Sequence, residues 1–280
     1  MFEKIDIQHL NKWLGSERET VDRITPRLAN SLAGVLNEPC GLVDGDIAPV
    51  GIHWCLSPDI VPMTELGADG HPARGAFLPP VPLPRRMWAG GELRFSDVFH
   101  VGDEVRRISK VTDIALKEGR SGTLCFVTVH HEYTVEDAVI LKERHDIVYR
   151  GLEAYAKKPP AKAASMPADM MLEIDATPTL LMRYSAVTFN GHRIHYDREY
   201  CIHEEFYPGL IVHGPLQANY MLRMACQMNN GRLPDCFSFR GLSPLFDGSH
   251  FTVHGKQGDE ESSFWVLDAN GVMTMQARSE

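Results

Sequence analysis

The residues that could do chemistry gather in one stretch, Phe189-Asn190-Gly191-His192-Arg193-Ile194-His195-Tyr196-Asp197, followed by the turn Val212-His213-Gly214-Pro215. An imidazole titrates near neutrality, so a histidine placed here can take a proton and return it, which makes acid–base chemistry the first reading. His192, His195, His203 and His213 fall within 22 residues and also raise the question of a metal. No cysteine or acidic residue stands at a matching ligand spacing, so no metal is expected. His213 is expected to hold its turn through a side-chain hydrogen bond.

The elements that must position these residues repeat along the chain. Thr25-Pro26 opens a run with apolar Leu28, Leu32, Val35 and Leu36, and Thr177-Pro178 opens one with Leu180, Leu181, Tyr184 and Val187. Each reads as a helix with a threonine N-cap and a proline at its first position. Arg94 stands eight residues before Gly102, and Arg240 eight before Gly248. The first echo is offset by 152 residues and the second by 146, which implies two copies of one plan. After the glycine each copy reads as antiparallel strands, Thr123 to Tyr133 and Val139 to Tyr149 in the first, Ser263 to Asp268 and Val272 to Ala277 in the second. Ala269-Asn270-Gly271 is a hairpin signal between the last two. Pro215 to Met228 is nearly all apolar apart from Asn219, Arg223 and Gln227, as a helix wrapped by a sheet would be. The expected class is therefore α+β, each sheet curled around a helix. The Pro, Lys and Ala content of residues 156–169 reads as a linker.

The copies differ in their chemistry. After its capped helix the first reads Leu36-Asn37-Glu38-Pro39-Cys40, with no histidine nearby, so only the second half is expected to carry acid–base groups. Composition narrows the partners. A net charge of −9 disfavours nucleic acid, and an anionic small substrate would need a local cluster of arginines. Six cysteines without a CxxC pair point to a reducing compartment, and the absence of a long apolar run disfavours a membrane span, so a cytoplasmic location is expected.

His195, the Val212-His213-Gly214-Pro215 turn and the apolar helix behind it resemble the MaoC-like (R)-specific enoyl-CoA hydratases, a hot-dog family with an Asp-x4-His motif and a later VHG turn. The similarity runs from about Pro178 to Arg278. The first half, including Leu83-Pro84-Arg85-Arg86-Met87-Trp88-Ala89-Gly90-Gly91, resembles the degenerate amino-terminal hot dog of the subgroup that contains mesaconyl-C4-CoA and itaconyl-CoA hydratases and 3-hydroxyacyl-thioester dehydratase type 2. The resemblance implies a double hot-dog fold, with residues 1–155 the degenerate domain, 156–169 the linker and 170–280 the catalytic domain.

It also implies a hydro-lyase that adds water to an enoyl thioester. Gly214, just ahead of Pro215 at a helix start, would aim a free N–H at the thioester oxygen as it gains charge. His195 would move the proton. Asn190 stands where the family has its acidic residue, and an amide can orient water but cannot exchange a proton at neutral pH. His195 is then the one strong acid–base candidate.

The subgroup implies a short branched dicarboxylic substrate, mesaconyl-C4-CoA or itaconyl-CoA, hydrated to citramalyl-CoA. Its buried carboxylate requires a cation. Arg193 leads, on the side of His195 if that stretch is extended, with Arg183 and Arg86 as alternatives; an ion pair of Arg193 with Asp197 is equally open. Trp88 and His213 complete the expected substrate-binding set. Coenzyme A is part of the substrate and no separate cofactor is expected; a homodimer is open as the assembly state. The alternatives are a dehydratase of fatty 3-hydroxyacyl thioesters and a thioesterase. The latter is disfavoured because Asn190 offers neither carboxylate nor nucleophile.

Overall fold

Two proline-led helices open the two halves in the same way. In α2 (Pro26–Val35) the Thr25 hydroxyl accepts from the Leu28 N–H at 3.2 Å, and in α3 (Pro178–Val187) Thr177 accepts from Leu180 at 3.1 Å. Each cap satisfies one of the N–H groups a helix start leaves without a partner. The computed structural model describes residues 5–119, 122–152 and 167–280. The linker expected over 156–169 falls largely outside the described residues.

The strands of the first half are β1 (Glu17–Arg23), β2 (Arg85–Phe95), β3 (Glu104–Gly119), β4 (Gly122–Val135) and β5 (Ala138–Arg150). Those of the second are β6 (Met170–Asp175), β7 (Cys236–Gly241), β8 (His250–Lys256), β9 (Ser262–Asp268) and β10 (Met273–Ser279). They form one sheet in the order β1-β3-β4-β5-β2-β7-β10-β9-β8-β6, which reads the same from either end once each strand is matched to its counterpart five places on. The halves join edge to edge through β2 and β7. There Gly90 pairs with Arg240, Glu92 with Ser238 and Arg94 with Cys236. The offset of 146 that relates Arg94 to Arg240 also relates Glu92 to Ser238, so the approximate twofold axis passes through the Glu92–Ser238 pair. Gly102 and Gly248, the matched glycines before β3 and β8, have φ of 100° and 88°. Both therefore turn the chain in the left-handed region that glycine reaches at little cost.

The copies diverge inside the sheet. The second half wraps α5 (Gly214–Met228), whose buried side chains include Leu216, Met221, Leu222 and Ala225. In the first half the chain between α2 and β2 forms only 3-10 turns at Ile52–Cys55 and Met63–Glu65. A central helix of the length of α5 is thus present in one half of the double hot dog. The space it vacates in the other opens as a cavity of about 1350 Å³ lined by both halves. A buried ion pair crosses between them: Arg85 of β2 donates from Nε to Glu205 Oε2 at 2.7 Å, and the Tyr200 hydroxyl donates to Glu205 Oε1 at 3.1 Å. Two short helices, α1 (Ile7–Leu10) and α4 (Arg198–His203), complete the α-helices of the described residues.

Candidate active site

The end of α3 places Asn190. Thr188 caps the last turn by donating to the Tyr184 carbonyl at 2.7 Å, Phe189 turns the chain with φ of 52°, and the Asn190 N–H then returns to the Ser185 carbonyl at 2.8 Å. The Asn190 side-chain oxygen accepts from the His192 N–H at 3.0 Å. One lone pair of that oxygen is thereby used, and the amide NH2 remains to address water or substrate in the cavity Asn190 lines.

His195 sits at the end of a 3-10 turn, Arg193–His195, and is buried. Its Nδ1 lies 2.8 Å from the Ile211 carbonyl. A carbonyl only accepts, so the proton is on Nδ1 and the lone pair on Nε2, the tautomer of a base. Burial first, and the nearby His71 with it, lower the His195 pKa to about 4 against a smaller upward pull from Ile211, so the ring is neutral at pH 7. His213 stacks beneath it with ring centroids 3.6 Å apart and planes at 17°, and His213 Nε2 is 2.8 Å from the Ser185 hydroxyl. The stack fixes the plane of His195.

Gly214 is the first residue of α5, so its N–H has no acceptor within the helix, and Pro215 beside it has no N–H to compete. A Cβ on Gly214 would come 2.8 Å from Cε3 of Trp88. Trp88 in turn stacks on Phe239, with centroids 4.5 Å apart. The helix start is therefore walled by an aromatic ring from the other half, and only glycine fits against it.

His195, Asn190, Gly214, Trp88 and Arg86 line the same cavity. Arg86 is half-buried, and no carboxylate among the described residues pairs with it. One open expectation is decided and two others need correction. Arg193 also lines the cavity, but it belongs to the 3-10 turn and not to an extended stretch, and of its two readings the ion pair with Asp197 is the one present. Its guanidinium is taken by Asp197 at 2.8 Å, by the Ala68 carbonyl at 3.0 Å and by the face of Tyr200 at 4.1 Å. Arg183 is exposed and lines a separate cleft of about 190 Å³ with Gly34 and Tyr220, because helical spacing from Tyr184 turns it away from the core. His213 is fully buried behind His195 and does not reach the cavity, which makes it a support and not a substrate ligand.

The expectation that the first half lacks acid–base groups also needs revision. Residues two apart on a strand share a face, and the register sets His131 opposite Glu143 and Val129 opposite His145 on β4 and β5. Tyr133 donates to Glu143 Oε2 at 2.8 Å and Trp54 to Glu143 Oε1 at 3.0 Å. Burial raises the Glu143 carboxyl against the pull of those two donors. Burial, together with Arg86 and Arg107, lowers His145 to about 3. His145 lies 6.1 Å from Trp88 between ring centroids, so this polar face adjoins the wall of Gly214. The alternation in His131-Glu132-Tyr133 and Glu143-Arg144-His145 was the available signal. A further group comes from the loop before β2, where Asp69 and His71 reach His192, bringing three donor atoms within 4.8 Å of one another. The acidic partner that local spacing did not offer thus arrives from the other half.

A duplicated antiparallel sheet around one long helix defines a double hot-dog protein, and its likeness to a dehydratase family and to a CoA hydratase makes it a hydro-lyase of the MaoC-like class. The model of the hydroxyacyl-thioester dehydratase type 2 family matches residues 51–247, and the chain belongs to that family. It is 37% identical over 271 residues to the mesaconyl-C4-CoA hydratase of Chloroflexus aurantiacus, covering 96% of both chains. It is 26% identical to the mitochondrial hydroxyacyl-thioester dehydratase type 2 of Schizosaccharomyces pombe, over 79% of this chain and 82% of that one. Among solved structures, a MaoC-like dehydratase from Phytophthora capsici aligns with TM-score 0.71 at 17% identity over 98% of both chains. A Mycobacterium tuberculosis protein described as a double hot dog aligns with TM-score 0.57 at 12% identity over 95% of both. These two likenesses show the fold. Among the described residues no helix is long and apolar enough to cross a membrane.

Proposed function

We propose that the protein hydrates a short, branched, dicarboxylic enoyl-CoA, mesaconyl-C4-CoA or itaconyl-CoA, to citramalyl-CoA. The observation that carries this reading is the neutral His195 imidazole, fixed as a base by Ile211, in one cavity with the Asn190 amide and the helix start at Gly214. Identity of 37% across nearly the whole length to a protein named for mesaconyl-C4-CoA supports the acyl group. In the proposed step Asn190 orients a water at Cβ. His195 Nε2 takes its proton as the new C–O bond forms. The thioester oxygen, gaining charge, is held by the Gly214 N–H and the positive end of α5. Arg86, beside Trp88 and without a carboxylate partner among the described residues, neutralises the substrate's second carboxylate.

A second reading, dehydration of longer 3-hydroxyacyl thioesters, is supported by the name of the family model and by a cavity of about 1350 Å³, which offers room for more than a five-carbon acyl group. A panel of enoyl-CoA substrates separates them. Loss of the conjugated thioester absorbance is expected to be faster for mesaconyl-C4-CoA than for crotonyl-CoA. Arg86→Met should weaken use of the first strongly and spare the second. Preference for unbranched, medium-chain enoyl-CoA would replace the dicarboxylate reading with the fatty one.

A further inference from the structure

The loop that carries Asp69 and His71 is locked onto the catalytic segment by main-chain contacts. The Arg193 N–H donates to the Asp69 carbonyl at 2.9 Å. Gly70 has φ of +86°, and a Cβ on it would lie 2.1 Å from the Gly191 carbonyl oxygen. These contacts bracket His192 in sequence, so the loop is held in register with it. Asp69 Oδ1 accepts from the His71 N–H at 3.1 Å, and Asp69 Oδ2 lies 3.2 Å from His71 Nδ1. The carboxylate fixes the proton of the ring on Nδ1 and leaves Nε2 to exchange. The His71 ring is 4.2 Å from that of His192, and His192 is 5.5 Å from His195. His71, His192, His195 and Asn190 all line the cavity.

We propose that His71, oriented by Asp69, is the second acid–base group of the hydration and supplies from the first half the proton-donor function that Asn190 lacks. This rests on the reading of His195 as the base. In the forward direction the water oxygen bonds to Cβ and its proton passes to His195 Nε2. The π pair moves onto the thioester oxygen at Gly214. As the carbonyl re-forms, the proton on His71 Nε2 passes to Cα. His195 ends protonated and His71 neutral, and exchange with solvent restores the starting pair.

The charges facing His71 pull both ways, and Asp69 is the group that favours its protonated form. Burial lowers its pKa below the ordinary 6.5, Asp69 raises it, and Arg86 and Arg74 lower it. His192 and His195 are themselves lowered by burial and stay neutral beside it. Asp69 remains a carboxylate, since the bonds and charge of His71 outweigh its burial. The two arginines oppose a divalent cation among Asp69, His71 and His192 as they oppose the charge on His71, and the chelator arm of the test separates the two.

The test is the pH profile of kcat/KM for the preferred enoyl-CoA. The wild type needs His195 neutral and His71 charged, so activity falls at the acid end and again as pH rises through the His71 value. His71→Gln should lower kcat about 100-fold, change KM little and abolish the alkaline limb. Asp69→Asn keeps the loop's acceptor but removes the charge that raises His71, so the alkaline limb should move to lower pH. Asn190→Asp placed in the His71→Gln background should restore activity about tenfold or more, because a carboxyl returns to the position where the family motif has one. Full activity of His71→Gln would overturn the proposal, as would loss with an unchanged profile and no rescue, or activity removed by a chelator and restored by a divalent cation. If His195→Ala stays active, or no enoyl-CoA is turned over, the reading beneath it fails instead.

Discussion

The two halves share a topology and differ in what they put on the concave face of the sheet. The second half has strands of six or seven residues around a 15-residue buried helix, whose start presents Gly214. The first half has β3, β4 and β5 of 16, 14 and 13 residues and no helix of comparable length between α2 and β2. Where the helix is missing, side chains that would pack against it are freed to line a cavity, and His131, Glu143 and His145 occupy such positions. One copy keeps the long helix, its dipole and the buried His195. The other becomes wall, loop and polar lining. Duplication followed by the loss of one core element is a direct route from a packed domain to a binding site.

The largest effect expected from this division concerns turnover. His195→Ala should lower kcat about a thousandfold or more, whereas His145→Leu, on the opposite wall, should cost less than about tenfold with crotonyl-CoA. Equal losses would break the comparison. Next is the clamp between the halves. Arg85→Met leaves Glu205 buried without its cation and should destabilise the fold by about 3 kcal/mol in chemical denaturation. A stability unchanged by Arg85→Met would mean that the halves do not depend on this contact.

Gly214→Ala should follow, with kcat/KM down about 30-fold, because the new methyl group pushes against Trp88 and shifts the helix start by a few tenths of an ångström. A smaller effect spreads over both halves. His53 and His145 are lowered to about 3 and His195 to about 4, mainly by burial. Each is neutral when folded and would bind a proton when unfolded below pH 6.5. Stability is therefore full above that pH and lost as pH falls from 6.5 toward 4 and then 3, by about 1–2 kcal/mol per histidine at pH 5. Denaturation midpoints measured from pH 7.5 to 5 check the sign. Asn190→Ala, which removes an orienting amide but no titrating group, should cost the least turnover, about tenfold.

Much of the fold was legible because its rules are local. Thr-Pro caps, the alternation of β4 and β5, the turn at Gly271 and the paired offsets each depend on neighbours within a few residues, or on a repeat that one chain displays to itself. The site was legible to the same extent: Asn190 and His195 lie five residues apart, and the turn at Gly214 opens the helix its composition predicts. For Arg193 the sequence left two readings open, and the 3-10 turn in place of an extended stretch gives its guanidinium to Asp197. Arg183 was misplaced because its helix is amphipathic and it lies on the outer side.

The sequence by itself determined the duplication, the capped helices and the sheet-forming segments, and it named His195 as the candidate base. It could do so because helix caps, strand alternation and motif spacing are written in residues close along the chain. Only the tertiary structure decided that Asp69 and His71 stand beside His192, some 121 residues away in sequence, that Trp88 walls Gly214, and that His131 and His145 share a cavity with His195. Those neighbours are set by how β2 pairs with β7 and by which half kept its helix. Strand pairing and core filling act on the whole chain, and no local spacing records them.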